Sequence, residues 1–161
     1  MPNLSQHFQT ETYFSINSED ELINSFRLRD QKKLVLPQGL IYPFNVRSYF
    51  TWQESNAVYT YLLFKTPNWD MPRGVVFKRF ASNGEPTGGL CSWCNAYGSS
   101  EDIGMLSLHV DANVSLGYFL CHDLRCIEKI EEASARAGKS PEKNIAQLYH
   151  RMASLFENLN K

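Results

Sequence analysis

The sequence lacks any long apolar run. No stretch of its 161 residues approaches the roughly 20 apolar residues of a transmembrane helix, and no basic segment followed by an apolar one marks the N-terminus. Net charge is also small, because 16 basic and 17 acidic residues leave −1 at pH 7. These absences argue against a membrane protein, an exported protein and a protein drawn to nucleic acid by a general positive field. A cytoplasmic location is expected.

Local catalytic motifs are missing as well. The sequence has no Gly-x-x-x-x-Gly-Lys-Ser/Thr phosphate loop and no His-x-Glu element before a Pro-Cys-x-x-Cys, which a zinc deaminase would need. Gly88-Gly89 is better interpreted as a turn. We therefore expect no enzyme and no small-molecule substrate. The open alternative is an enzyme with a pocket among strand aromatics, which are Tyr49, Trp52, Tyr59, Tyr61 and Trp69.

Cysteine is scarce, and its four copies fall in two close pairs, Cys91 with Cys94 and Cys121 with Cys126. A Cys-x-x-Cys turn places two sulfurs about 2.3 Å from one metal ion, and a second pair completes a tetrahedron. In a reducing compartment, paired cysteines more often hold metal than form disulfides. The spacing predicts one Zn²⁺ site with four thiolate ligands; disulfides and ordinary free thiols are the weaker alternatives.

The predicted zinc is structural, because four protein ligands leave no position for water or substrate. Four thiolates also weaken Zn²⁺ as a Lewis acid. Its binding free energy should be on the order of 10–16 kcal/mol, so losing one cysteine should unfold the C-terminal half. His109 and His122 are the candidate substitute ligands. His109 lies in a predicted strand, and His122 directly follows a ligand, so both are disfavoured.

In the N-terminal half, residues 1–15 are polar and predict a flexible arm. Ser18 followed by Glu21 predicts the capped start of a short helix. Its apolar face would comprise Leu22, Ile23, Phe26 and Leu28. Runs rich in β-branched and aromatic residues then predict strands at 46–52, 58–64 and 74–80.

In the C-terminal half, strands are predicted at 105–110 and 117–120, joined by a loop at 111–115. Helix-forming residues follow the second cysteine pair, and Gly138 should stop that helix. Ser140-Pro141 predicts the start of a last helix. Its apolar stripe comprises Ile145, Leu148, Met152, Leu155, Phe156 and Leu159. The stripe should pack on the sheet.

This order predicts an α+β fold: an antiparallel sheet with N- and C-terminal helices and a treble-clef zinc finger. Knuckle, hairpin and helix follow one another, and the helix N-terminus favours thiolate at Cys126. We expect a single domain over 1–161. Its parts would be the arm at 1–15, a helix plus antiparallel strands at 16–86, and the treble-clef finger with the C-terminal helix at 87–161.

The cysteine region resembles a known family. The pattern Cys91-x-x-Cys94, then Gly117-Tyr118-Phe119-Leu120-Cys121-x-Asp123-Leu124-x-Cys126, then a last helix ending Leu155-Phe156-x-x-Leu159, is similar to the elongation factor G-binding proteins. These form the FusB-type treble-clef zinc-finger family, also known as the fibronectin-binding protein C-terminal domain. The resemblance covers roughly residues 18–159 and is most specific around the second cysteine pair.

The resemblance implies a protein that binds elongation factor G on the ribosome and promotes its release, and it brings protection from fusidic acid into consideration. Resistance proteins of the family carry a separate N-terminal helical domain, for which the strand-rich segment 46–80 leaves no room. Fibronectin binding is the weaker implication, since a signal-less chain is poorly placed to meet a matrix protein.

By the same resemblance, the partner would contact the knuckle and the loop before the second cysteine pair. These positions are Ser92, Trp93, Asn113, Ser115 and Leu116. Trp93 could equally pack over the metal site. Arg125 and Lys129 could simply neutralise charge near it. The alternative function is a zinc finger that binds RNA or the ribosome, although the finger lacks a stripe of Lys and Arg.

Overall fold

A computed structural model describes residues 12–56, 58–80, 88–99 and 101–159. Residues 1–11 of the predicted arm lie outside the described residues. The rest of that prediction is wrong, because Tyr13–Ile16 forms strand β1 and pairs antiparallel with β2, Phe44–Arg47. β-Pairing fixes this part of the N-terminal segment, and Ile16 is fully buried.

The first helix, α1, spans Glu19–Asn24 and begins where Ser18 predicts it. The Ser18 hydroxyl accepts from the Glu21 N–H over 3.1 Å, and Glu21 accepts in return from the N–H of Asn17. Leu28 is not part of its buried face: it is 81% exposed and begins a separate helix, α2, Leu28–Gln31.

The break between α1 and α2 directs Phe26 into the core instead. A Cβ on Gly74 would lie only 2.5 Å from the Phe26 ring, so only glycine leaves room for that ring. The Gly74 N–H also donates to the Ser25 carbonyl over 2.9 Å. These contacts attach the helical segment to the sheet.

Five antiparallel strands form the main sheet, in the order β3-β4-β5-β8-β9. Their bounds are Tyr49–Gln53 for β3, Tyr59–Phe64 for β4, Arg73–Arg79 for β5, Ile103–His109 for β8 and Ser115–Cys121 for β9. The β8–β9 hairpin is the predicted hairpin between the cysteine pairs. β8 begins two residues and ends one residue earlier than predicted, and β9 extends further at both of its ends. Its register runs from Ile103 opposite Cys121 to His109 opposite Ser115.

One predicted strand, 46–52, is split between β2 and β3 at Ser48. Ser48 has a φ of 71°, a left-handed conformation that a strand cannot contain. Its N–H donates to the Thr12 carbonyl over 2.6 Å, and the Tyr149 hydroxyl donates to its side chain. These distant partners hold Ser48 in the conformation that turns the chain.

One face of the sheet carries the larger core, which we call the first core. Helices α3, Cys126–Ala137, and α4, Glu142–Leu159, pack there. The predicted stripe of α4 is confirmed, with Leu159 partly buried and the other five residues buried. Gly138 ends α3 with a φ of 66°, as its sequence position predicts. None of the described helices is long and apolar enough to cross a membrane.

The opposite face carries a smaller cluster, the second core. It covers β3, β4 and β5 with residues of α1, β1 and β2. Its buried members are Ile16, Leu22, Phe26, Val46, Tyr61, Leu63 and Val76. In the part of the chain that the structure describes, the second core contains no residue of β8 or β9, the hairpin that supports the finger.

Candidate metal centre

The first cysteine pair lies on a tight turn that a short ribbon supports. Strands β6, Gly89–Leu90, and β7, Tyr97–Gly98, pair on either side of the turn. Inside it, the Asn95 N–H donates to the Cys91 carbonyl over 2.8 Å, and the Trp93 N–H lies 3.4 Å from the Cys91 sulfur. This knuckle aims the sulfurs of its two cysteines at one point.

The ribbon was not predicted, because two-residue strands carry no periodicity. In the sequence, Gly88 is the residue that indicates this ribbon. A Cβ there would lie 2.3 Å from the Gly98 carbonyl oxygen, so the ribbon closes only with glycine at this position. A glycine pair before a Cys-x-x-Cys turn therefore indicates close main-chain approach here.

The second pair lies at the junction between sheet and helix. Cys121 ends β9, and Cys126 is the first residue of α3, as predicted. Between them, Leu124 adopts a φ of 54° while fully buried. The Asp123 carboxylate accepts from the Arg125 N–H over 3.0 Å and stabilises this turn.

The four sulfurs form one cluster. The Cys91 and Cys126 sulfurs are 3.8 Å apart, those of Cys94 and Cys121 are 3.6 Å apart, and all four lie within 4.8 Å of one another. A tetrahedron with Zn–S bonds of 2.3 Å has sulfurs about 3.8 Å apart. The donor set and its geometry therefore fit structural Zn²⁺, and they are far outside the bonding distance of a disulfide.

Four adjacent thiols can all ionise only when a cation lies beside them. Hydrogen bonds with Cys121 and Cys126 lower the pKa of Cys91, whereas hydrogen bonds with Cys121 and Cys91 raise the pKa of Cys126. These opposite directions follow because ionising one thiol opposes ionisation of its neighbours. A bound dication removes this restriction and allows all four to be thiolates.

Lys129 supplies additional positive charge beside the cluster. Burial alone would lower its pKa, but hydrogen bonds to Asp123 and Cys121 outweigh burial and raise it. Its ammonium lies 3.0 Å from the Asp123 carboxylate. Arg125 instead forms an exposed ion pair with Glu128 over 3.1 Å. Of the two cations, Lys129 is the one that neutralises the charge of the site.

Tyr49 supports the second cysteine pair, a role that its position in the sequence does not indicate. Its hydroxyl donates to the Leu124 carbonyl over 2.7 Å and accepts from the Ile127 N–H over 3.3 Å. Burial and the nearby Cys126 raise its pKa, so it remains a neutral phenol. Strand β3 thereby holds the turn that presents Cys121 and Cys126.

Trp93 is 3% exposed and packs against Phe77 and Tyr118 in the first core. The Arg151 guanidinium donates to its carbonyl over 2.8 Å, which joins α4 to the knuckle. The prediction that Trp93 contacts a partner directly does not fit this structure, because a buried side chain offers no surface. The packing alternative accounts for it.

The two histidines lie outside the sulfur cluster. Nδ1 of His122 bonds the Glu101 carbonyl over 2.7 Å, and its ring occupies the space that a side chain at Gly104 would fill. Burial lowers the pKa of His122. His109 bonds the Ser115 hydroxyl over 2.9 Å at the surface. Neither is placed to ligate the metal.

The other predicted contact residues lie at the two ends of strand β9. Ser92 is exposed on the knuckle, and its N–H donates to the Phe119 carbonyl over 2.8 Å. Asn113 and Ser115 are exposed and Leu116 is half-buried at the hairpin tip. The four residue steps from Ser115 to Phe119 span about 13 Å at the usual strand rise, which is the distance between the hairpin tip and the knuckle contact.

The aromatics of the enzyme alternative serve mainly as packing groups. Trp52 and Tyr61 stack with ring centroids 5.0 Å apart in the second core, and Trp69 packs on Phe64 at 5.6 Å beside the first. A cavity of about 320 Å³ adjoins Tyr49, whose hydroxyl is already engaged by the cysteine turn. These contacts favour a structural role for the aromatics.

Comparison with known proteins adds one positive finding. The model of the FBP C-terminal treble-clef zinc-finger family matches residues 19–161. The match includes both cysteine pairs and both C-terminal helices. A search of curated proteins finds no match.

Proposed function

Because this chain belongs to the FBP C-terminal treble-clef zinc-finger family, we propose that it is a zinc-stabilised module that binds elongation factor G and promotes its release from the ribosome. The observation that carries the proposal is the cluster of four sulfurs within 4.8 Å on a knuckle–hairpin–helix frame. The proposed setting is the cytoplasm, where translation takes place. Protection of translation from fusidic acid is the physiological consequence to examine.

In this proposal zinc acts through structure rather than chemistry. It ties the knuckle to the end of β9 and to the start of α3, which keeps the hairpin and knuckle in one fixed orientation. A rigid surface binds with less loss of conformational entropy than a mobile one. The contact residues we propose are Ser92, Asn113, Ser115 and Leu116, which are exposed or half-buried along the hairpin. Trp93 contributes by packing against Tyr118 of β9 in the first core.

The direct test is binding of the purified, zinc-loaded chain to purified elongation factor G, measured by size-exclusion co-migration and by titration. We expect a complex at micromolar concentrations. Cys91→Ser should abolish it by unfolding the finger. Absence of a complex well above micromolar concentrations would refute the proposal. Salt-sensitive binding to ribosomal RNA without any complex with the factor would favour the RNA-binding alternative.

A second variant separates the surface from the fold. The double substitution Asn113→Ala, Ser115→Ala removes exposed polar groups and leaves all four ligands intact. We expect it to retain zinc and to weaken the complex. The functional measurement is dissociation of the factor from ribosomes stalled with fusidic acid, which the unmodified chain should accelerate and Cys91→Ser should not.

A further inference from the structure

The outer edge of strand β9 is only partly occupied. At the hairpin tip the Val110 N–H donates to the Val114 carbonyl over 2.8 Å. Antiparallel pairing alternates from that point, so even-numbered residues of β9 bond with β8. The main-chain groups of Ser115, Gly117 and Phe119 therefore point away from β8. Because β9 is the last strand in the sheet order, these groups form its edge.

The protein already uses one of these edge groups. The Phe119 carbonyl accepts from the Ser92 N–H over 2.8 Å, so the knuckle pairs with the C-terminal part of the edge. Across the ranges that the structure describes, the N–H and C=O of Ser115 and Gly117 have no main-chain partner. Both residues are exposed. Free edge groups of this kind form a template for another strand.

Apolar side chains border the free part of the edge. Met105 is exposed on β8, and its sulfur lies 2.8 Å from the point where a Cβ of Gly117 would be. The missing side chain at Gly117 thus leaves Met105 reachable from the edge. Leu90 and Tyr97 of the ribbon are exposed too. They lie next to Gly89, whose backbone packs against the ring of Phe119 in β9. Among the residues that the structure describes, none of the second core lies on β8 or β9 at this face.

We propose that β9 receives an extended segment of the protein partner as a sixth strand. This segment would form hydrogen bonds with the main chain of Ser115 and Gly117, and one of its apolar side chains would pack on Met105. This inference rests on the proposed function and specifies its binding mode. It gives the exposed contact residues one explanation, because Asn113 and Ser92 flank the two ends of the free edge that contains Ser115. In such strand addition, main-chain hydrogen bonds supply affinity and side-chain contacts supply selectivity.

Proline at position 115 tests the inference. Ser115→Pro removes an outward N–H and places the ring where the added strand must approach, and an outward edge position tolerates proline. Ser115→Ala is the matched control, because it keeps the N–H and removes only the hydroxyl. With elongation factor G as the probe, we expect Ser115→Pro to weaken binding at least about tenfold more than Ser115→Ala. Both variants must retain zinc and the thermal stability of the parent chain within a few degrees.

Amide hydrogen exchange by NMR gives a second readout that does not depend on substitution. In the free chain the amides of Ser115 and Gly117 should exchange rapidly, and saturating factor should slow both by at least about tenfold. Unchanged exchange in a complex that forms, or equal affinities of the two variants, would overturn strand addition while leaving binding to the factor intact. Concentration-dependent protection without the factor would assign the edge to a second copy and also overturn it. If the unmodified chain forms no complex, the proposed function itself fails.

Discussion

Removing the hydroxyl of Tyr49 tests how the sheet supports the metal centre. Tyr49→Phe deletes the donor to the Leu124 carbonyl and the acceptor for the Ile127 N–H, at 2.7 Å and 3.3 Å. The ring remains, so no large cavity forms. The turn loses two of its hydrogen bonds to β3 and keeps the one from the Gln53 amide to the His122 carbonyl at 2.8 Å, while the cysteines themselves are unchanged.

The expected cost follows from these two bonds. A buried polar group left without a partner costs about 1–3 kcal/mol, and the Leu124 carbonyl belongs to a residue that is fully buried. We expect the free energy of unfolding to fall by about 2 kcal/mol. With a urea dependence of about 2 kcal/mol per molar, the unfolding midpoint should move down by about 1 M.

The assay is urea unfolding of the zinc-loaded chain followed by tryptophan fluorescence, together with the rate of zinc transfer to a chromophoric chelator. Tyr97→Phe is the matched control, because Tyr97 lies beside the knuckle but is 78% exposed. The control should change stability by less than about 0.5 kcal/mol. Equal effects of the two substitutions, with unchanged zinc release from Tyr49→Phe, would refute the proposed support.

Four further predictions concern separate features. Cys126→Ser should reduce bound zinc from one equivalent to a small fraction by elemental analysis; full retention would contradict a four-sulfur site. Lys129→Met should weaken zinc binding by less than about tenfold, because its ion pair is partly exposed; chelator competition would show no change if Lys129 has no electrostatic role. Gly138→Ala should cost about 1 kcal/mol, since its φ of 66° strains any side chain, and an unchanged melting curve would contradict this. Gly74→Ala should cost about 1–3 kcal/mol by displacing Phe26, and Phe26→Leu should relieve part of that cost in urea unfolding.

Features that depend on neighbouring residues could be predicted from the sequence. The caps at Ser18 and Gly138 were predicted because a helix end is satisfied by groups within a few positions. The stripe on α4 was predicted because burial of one face imposes a helical period. The four cysteines were predicted to meet because zinc ligation requires pairs at short spacing.

Features that depend on distant partners could not be predicted. Tyr49 contacts a turn 75 residues away, and the Ser48–Tyr149 bond joins residues 101 apart. Nothing near position 48 indicates that a strand must break there. Trp93 posed a different difficulty, because a tryptophan between two ligands suits either a surface or a core. Only the positions of Phe77 and α4 resolve this choice.

The distribution of tryptophans makes the two sides of the sheet optically separable. Trp93 lies in the first core, and Trp69 packs against that core. Trp52 packs against the second core, which contains no cysteine. Removal of zinc should therefore lower or shift the fluorescence emission of Trp93 and Trp69, whereas the surroundings of Trp52 should stay the same. A variant with Trp52 as its single tryptophan would report whether the N-terminal half stays folded after the finger has unfolded.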